Sequence, residues 1–342
     1  MLGGAIGDAL GYPVEFIRGD QIEWKHGVSA PERLDFDGKT PARISDDTQM
    51  TLFTAEGLMR ARARLEDRGM CDVPSVMASA LLRWYETQSG KLASTGDRGW
   101  LVDERGLHAL RAPGNTCMSA LAALAQGGGL PSVERPPNDS KGCGAVMRVA
   151  PLGLGANSRE TAWELARDQG VLTHGHPSGY LSAAYFASVI WDVARGGSLD
   201  DAAAHADALL AAATGRDELV AVLARARALA ANGAPTAATI ESLGGGWTGE
   251  EALAIAMLCA WTYDPAEPRG FEQALWRAAA HSGDSDSTAA ITGNLLGARL
   301  GAGALPVAWL DVLELREVID RIAVDLHTTM IRGERLRSYP PN

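Results

Sequence analysis

Apolar positions in this chain are mostly alanine and leucine set at a helical period, β-branched runs are few, and most Gly and Pro residues fall between the apolar stretches. That pattern predicts an all-α fold, because Ala and Leu are strong helix formers and a half-buried strand would alternate. Helices are expected over 46–66, 72–88, 115–126, 158–171, 176–195, 199–213, 216–231, 248–263, 268–280, 285–301 and 311–328. Ser45, Asp200 and Thr248 stand where caps belong, Pro74 and Pro235 where a first turn tolerates a missing N–H, and Gly196-Gly197 where a long helix closes. The turn-rich stretch from Gly127 to Asp139 and the Gly244-Gly245-Gly246 triplet read as functional loops, since helical segments of one character flank both. No fixed-period repeat points to a solenoid.

With 342 residues and 46% hydrophobic content, the chain has material for a substantial core. One domain over 1–342 is expected, because acidic segments near its two ends have to meet for the chemistry below. A net charge of -11 disfavours a nucleic-acid groove, which needs a clustered basic surface, and favours a small molecule or a protein as partner. No apolar run reaches the length of a bilayer, and Met1 to Asp8 lack a basic segment followed by an apolar one, so the expected location is cytoplasmic, with no membrane contact. Cys71, Cys117, Cys143 and Cys259 are scattered without a Cys-x-x-Cys pair and read as buried or half-buried thiols.

Two acidic segments carry the candidate chemistry. Ile44-Ser45-Asp46-Asp47-Thr48 and Ser282-Gly283-Asp284-Ser285-Asp286-Ser287-Thr288 each precede an apolar helix. Either alone reads as a helix start, a cap followed by acids that complement the positive end of the dipole. Together they offer four carboxylates and neighbouring hydroxyls, an oxygen-only donor set that suits Mg²⁺, Mn²⁺ or Ca²⁺ and not zinc. If the segments converge, cations are the simplest neutralisation of the mutual repulsion. The glycine-dense stretches 3–11 and 140–148 have the composition of a diphosphate cradle, with close helix packing as the competing reading of the first; neither is a Walker motif. In Thr173-His174-Gly175-His176-Pro177 the histidines sit in a turn, as structural groups or as one that orients a ligand. Trp247, after three glycines, either stacks on a base or plugs the core.

Gly7-Asp8-Ala9-Leu10-Gly11 with Glu15, Ser45-Asp46-Asp47-Thr48, Thr173-His174-Gly175-His176-Pro177-Ser178-Gly179 and His281 through Ala289 resemble, in this order and over nearly the whole chain, the ADP-ribosylglycohydrolases. The two acidic motifs carry most of the specificity. The resemblance implies a compact all-α domain that uses two Mg²⁺ or Mn²⁺ ions to release ADP-ribose from a modified protein side chain, ADP-ribosylarginine first, so that the partners are the ADP-ribosylated protein and ADP-ribose. It implies Ser45, Asp46, Asp47, Asp284, Asp286 and Ser287 as metal ligands, with Ser287 where many relatives have Thr. Glu15, Asp46 and Asp286 become the catalytic candidates: Glu15 near the site entrance as a gate or as acid/base, with protonation of the leaving group the first candidate role, and either aspartate as base. Gly142, Cys143, Gly144, His176 and Trp247 match substrate-binding positions. Competing readings are release of ADP-ribose from serine, a nucleobase or O-acetyl-ADP-ribose, a catalytically silent ADP-ribose-binding protein, and a metal-dependent phosphohydrolase.

Overall fold

The computed structural model describes residues 1–34, 41–91, 98–327 and 337–341, and among them sixteen α-helices and no β-strand. In chain order these are α1 (Leu2–Gly11), α2 (Gly19–His26), α3 (Asp46–Arg68), α4 (Val73–Ser89), α5 (Asn115–Ala125), α6 (Ala150–Gly155), α7 (Arg159–Val171), α8 (Pro177–Val193), α9 (Leu199–Ala211), α10 (Asp217–Ala230), α11 (Ala237–Glu241), α12 (Gly249–Thr262), α13 (Gly270–Ala279), α14 (Ser285–Leu300), α15 (Val307–Leu310) and α16 (Arg316–His327). Among the described residues no helix is long and apolar enough to cross a membrane. The expected helices are present, and α1, α2, α6, α11 and α15 join them. Position 328 of the expected last helix lies outside the described residues. That helix begins at Arg316 and not at 311, because Leu313 pairs with Ala42 and Leu315 takes a φ of 55°, a conformation no helix interior tolerates.

Helices that are apolar all round belong in the centre of a core. α8 fits that description and is buried on nearly every residue, packed by α6, α7, α9, α12 and α14. α16 instead buries one stripe, Ile319, Ile322 and Leu326, and leaves Val324 exposed. Helix ends follow local chemistry. Ser45 caps α3 by accepting from the Asp47 N–H, and Gly69 closes it in the left-handed conformation. One expected cap moves, and one expected first-turn proline falls outside its helix. Ser198, not Asp200, caps α9 by accepting from the Asp201 N–H (3.1 Å), and Asp200 lies in the first turn. Pro235 precedes Thr236, the actual cap of α11, and so stays outside the helix. Thr248 holds the capping position of α12 without a side-chain bond.

The seam that positions the site joins α1 to α14. Gly3, Gly7 and Gly11 recur every fourth residue, so they share one face of α1. A Cβ on Gly7 would stand 2.0 Å from the Ala289 carbonyl oxygen, and one on Gly11 would stand 2.2 Å from that of Ser285. Across the seam, a Cβ on Gly293 would be 2.1 Å from the Gly3 carbonyl oxygen. Of the two readings of the first glycine stretch, close packing is the one realised. Gly7→Ala is therefore expected to destabilise the protein by about 3 kcal/mol or more, since the added methyl meets backbone that cannot rotate away. Denaturant unfolding measures this, and a change below about 1 kcal/mol would contradict so tight a seam.

Candidate functional site

Each acidic segment is held in place before it can bind anything. Asp8, on the α1 seam, is buried and accepts from the Ser45 N–H (2.9 and 3.0 Å), the Thr48 N–H (3.1 Å) and the Thr48 hydroxyl (2.5 Å). It thereby fastens the first turn of α3. The Asp46 N–H donates to the Arg111 carbonyl (3.1 Å), and the Gly114 N–H donates to Asp46 Oδ2 (3.4 Å). On the other side, Asp284 caps α14 and its own N–H donates to the Gly245 carbonyl (2.8 Å), while the Ser287 N–H reaches Asp286 Oδ1 (2.9 Å). The cap and the ligand readings of these motifs are thus compatible. The segments meet where the Ser287 hydroxyl donates to Asp47 Oδ2 (3.3 Å), across 240 residues.

The electrostatics of this meeting point are lopsided. Burial, followed by the charge of Asp286, pushes the carboxyls of Asp46, Asp47 and Asp284 well above the usual carboxylate range. The same two causes raise Asp8 to about 7 and Glu15 to about 9. Asp286 itself is raised by burial. Asp47 Oδ1 is buried and has no hydrogen-bond partner. Carboxylate oxygens of Glu15, Asp284 and Asp286 lie within 4.8 Å of one another. Clustered, desolvated carboxylates with an orphaned oxygen are the donor set a hard divalent cation takes. The residues present fit such a group.

These shifts have a signed consequence for the cation-free protein. A carboxyl whose folded pKa exceeds its unfolded value binds its proton more tightly when folded, so stability is lost as pH rises towards the folded pKa. His174 and His281, lowered by burial to about 3 and about 4, act oppositely, but only below their unfolded pKa of about 6.5. Chelator-treated protein is therefore expected to melt at a higher temperature at about pH 7 than at about pH 8.5. Thermal scans in EDTA decide it, and the reverse order would remove the carboxylate cluster as a source of strain.

The cluster forms the floor of a cleft of about 800 Å³, within the size of a nucleotide-like ligand site. Its wall includes Gly142, Cys143, Gly144 and His174, its mouth Phe16 and Trp247, and the 110–118 segment runs opposite. No Lys or Arg is among the residues that line it. The expected diphosphate cradle changes character here, because the Gly142 N–H is spent on the Ser140 hydroxyl (3.3 Å) and the Cys143 N–H on the Trp247 carbonyl (3.1 Å). The glycines instead permit close approach: a Cβ on Gly144 would stand 2.9 Å from both Cys117 Sγ and His174 Cε1. Trp247 neither plugs the core nor stands free; 43% exposed, it stacks on Phe16 with ring centroids 5.3 Å apart.

His176 lies outside the cleft, where its Nδ1 accepts from the Ser178 N–H (3.1 Å) as the cap of α8. The histidine on the wall is His174. Buried Arg148 donates to the Thr173 hydroxyl (2.8 Å), and the same hydroxyl lies 2.8 Å from His174 Nδ1 and holds the ring on the wall. Ser45 is fully buried behind the floor, while Asp46, Asp47, Asp284, Asp286 and Ser287 line it. Asp8, Phe16, His174 and the 110–118 segment were not among the residues expected to make the site. Asp8 sat within a recognised motif; the 110–118 segment carries a turn signal in Pro113-Gly114-Asn115 that by itself names no ligand.

Comparison with known proteins bears on the family and the fold. The sequence model of the ADP-ribosylglycohydrolase family matches residues 1–335. An ADP-ribosylarginine hydrolase Tri1 of Serratia proteamaculans (strain 568) is 26% identical over 328 residues, covering 95% of this chain and 77% of that protein. An uncharacterized protein of Archaeoglobus fulgidus is 26% identical over 347 residues, 98% of this chain and 97% of its own length. Among solved structures, an ADP-ribosylglycohydrolase-related protein complex superposes with a TM-score of 0.62 at 25% identity, covering 95% of this chain and 94% of the other.

Proposed function

The chain belongs to the ADP-ribosylglycohydrolase family, and from that premise we propose that it hydrolyses the N-glycosidic bond of ADP-ribosylarginine on modified proteins, with two Mg²⁺ or Mn²⁺ ions. The observation that carries the reading is the convergence of Asp46, Asp47, Asp284 and Asp286 on one cleft floor, with Asp47 Oδ1 unpartnered. Arginine is favoured as the modified residue because relatives named ADP-ribosylarginine hydrolase align with 95% of the chain at 24–26% identity.

Ser45, Asp46, Asp47, Asp284, Asp286 and Ser287 would hold the ions. When bound, the cations supply fixed positive charge beside the anomeric carbon and activate the attacking water. Asp46 or Asp286 accepts the proton of that water. A guanidine is too basic to leave as an anion and departs protonated. Glu15, whose carboxyl burial and the charge of Asp286 push up to about 9 in the cation-free protein, is the group to deliver that proton. The Phe16–Trp247 stack offers a flat aromatic face to adenine, and His174 offers a polar imidazole edge on the cleft wall.

Mass spectrometry of products tests this directly, with peptides ADP-ribosylated on arginine or on serine and with O-acetyl-ADP-ribose. Free ADP-ribose and intact arginine, formed with Mn²⁺ and abolished by EDTA, is the expected result. Turnover of serine conjugates alone would replace arginine as the substrate, and AMP as product would replace glycosidic cleavage by phosphohydrolysis.

A further inference from the structure

Among the four cysteines, Cys143 alone meets the acidic cluster. Its Sγ lies 2.8 Å from Asp284 Oδ2 and 3.7 Å from the Ser287 hydroxyl. Cys117 is buried beside Arg148 (3.5 Å), Cys259 is buried in the core, and Cys71 lies between α3 and α4. An oxygen-only floor has no need of a thiol at this point. The thiol also shares the floor with the unpartnered Asp47 Oδ1, and Ser287 links the two by donating to Asp47 Oδ2.

We propose that Cys143 is a sulfur donor to one cation position, which makes this site a binder of thiophilic divalent ions such as Zn²⁺ or Cd²⁺ in competition with Mg²⁺ or Mn²⁺; the inference rests on the two-cation reading above. Zn²⁺ bonds of about 2.3 Å to sulfur and about 2.0 Å to oxygen set a tetrahedral S···O edge of about 3.5 Å. The two separations at Cys143 straddle that value, so a small movement of the thiol away from Asp284 seats an ion against Sγ, Asp284 and Ser287. The Sγ–H bond breaks, an Sγ–metal bond forms, and the proton passes to buffer. Nothing is oxidised or reduced. A mixed sulfur and oxygen site also prefers late first-row ions to Mg²⁺ and Mn²⁺ on the general affinity order, and the thiolate adds to that preference.

The experiment titrates Cd²⁺ into the full-length protein and follows sulfur-to-metal charge-transfer absorption in the ultraviolet, with Mn²⁺ binding measured separately by calorimetry. Wild type should develop the absorption to saturation at one equivalent and lose it on addition of excess Mn²⁺. Cys71→Ser should keep the absorption, and Cys143→Ser should lose it while still binding Mn²⁺. Absorption that persists in Cys143→Ser, or none in wild type, overturns the proposal. X-ray absorption at the cadmium edge of wild type gives an answer that does not depend on a variant folding: a sulfur shell supports the proposal, an all-oxygen shell refutes it. If wild type binds Mn²⁺ but shows no cadmium–sulfur signal, only this inference fails. If it binds no Mn²⁺ at all, the two-cation reading fails, and a cadmium–sulfur signal would still stand for Cys143.

Discussion

Asp286→Asn is expected to lower turnover of ADP-ribosylarginine by at least about 10³-fold, the upper range for removing a group that stabilises charge in a transition state, while the cation-free variant melts above cation-free wild type. The two halves have one cause. After burial, the charge of Asp286 is the largest influence that raises Asp8, Glu15, Asp46, Asp47 and Asp284. Removing it relieves repulsion in the empty cluster and at the same time removes the carboxylate most central to it. Asn keeps the volume and an acceptor for the Ser287 N–H, so the first turn of α14 should persist. Kinetics, metal content by mass spectrometry and melting in EDTA decide the matter together. Near-wild-type rates with unchanged metal content would remove Asp286 from the machinery, and a lower melting temperature in EDTA would make its role structural.

Glu15→Gln is expected to lower the same rate constant by about 10²–10⁴-fold, the usual range for losing a general acid or base, with little change in ADP-ribose affinity. The reading of Glu15 as a solvated acid that only follows a helix predicts no effect. The surroundings of Glu15 oppose it. A short 3-10 turn, Tyr12–Val14, and the bond from the Glu15 N–H to the Gly11 carbonyl (3.0 Å) carry it over the cleft floor. Phe16 then takes a φ of 65°, unusual for a bulky side chain, and stacks on Trp247. A backbone held in this conformation has a cost that the local structure must offset, and the Trp247 stack is the contact that does so. An unchanged rate would return Glu15 to the surface; a loss confined to affinity would make it a binding residue.

The helical class and the meeting of two acidic segments were legible in the sequence for different reasons. Ala- and Leu-rich stretches such as those of α9 and α10 encode helix by composition alone, whatever they pack against. Ser45 and Asp284 announce themselves because a helix start needs a side-chain acceptor, and that local requirement survives in any tertiary context. The sequence could not decide between packing and ligand binding for the α1 glycines, since only the partner surface of α14 tells a seam from a cradle. His174 and His176 are one residue apart and chemically alike; which of them faces the cleft depends on Arg148 and Thr173, whose bonds form in three dimensions. Phe16 contributes shape, which leaves no compositional mark, and Pro113-Gly114-Asn115 marks a turn in the 110–118 segment without telling that the segment faces a cleft.

The glycine seam between α1 and α14 also dictates when the site can come into being. Asp8 and Asp286 ride on helices whose contact spans most of the chain, and the Ser287–Asp47 bond alone closes a loop of 240 residues. Contacts of such sequence separation form late in folding, because the entropy of closing the loop is lost before the contact rewards it. During synthesis α3 emerges from the ribosome with half of the cluster long before α14 exists, and Asp47 then has water where Ser287 will later stand. The nascent chain is thus free of the buried carboxylate repulsion until its final helices dock, and the cation capture proposed above would have to await closure of the seam.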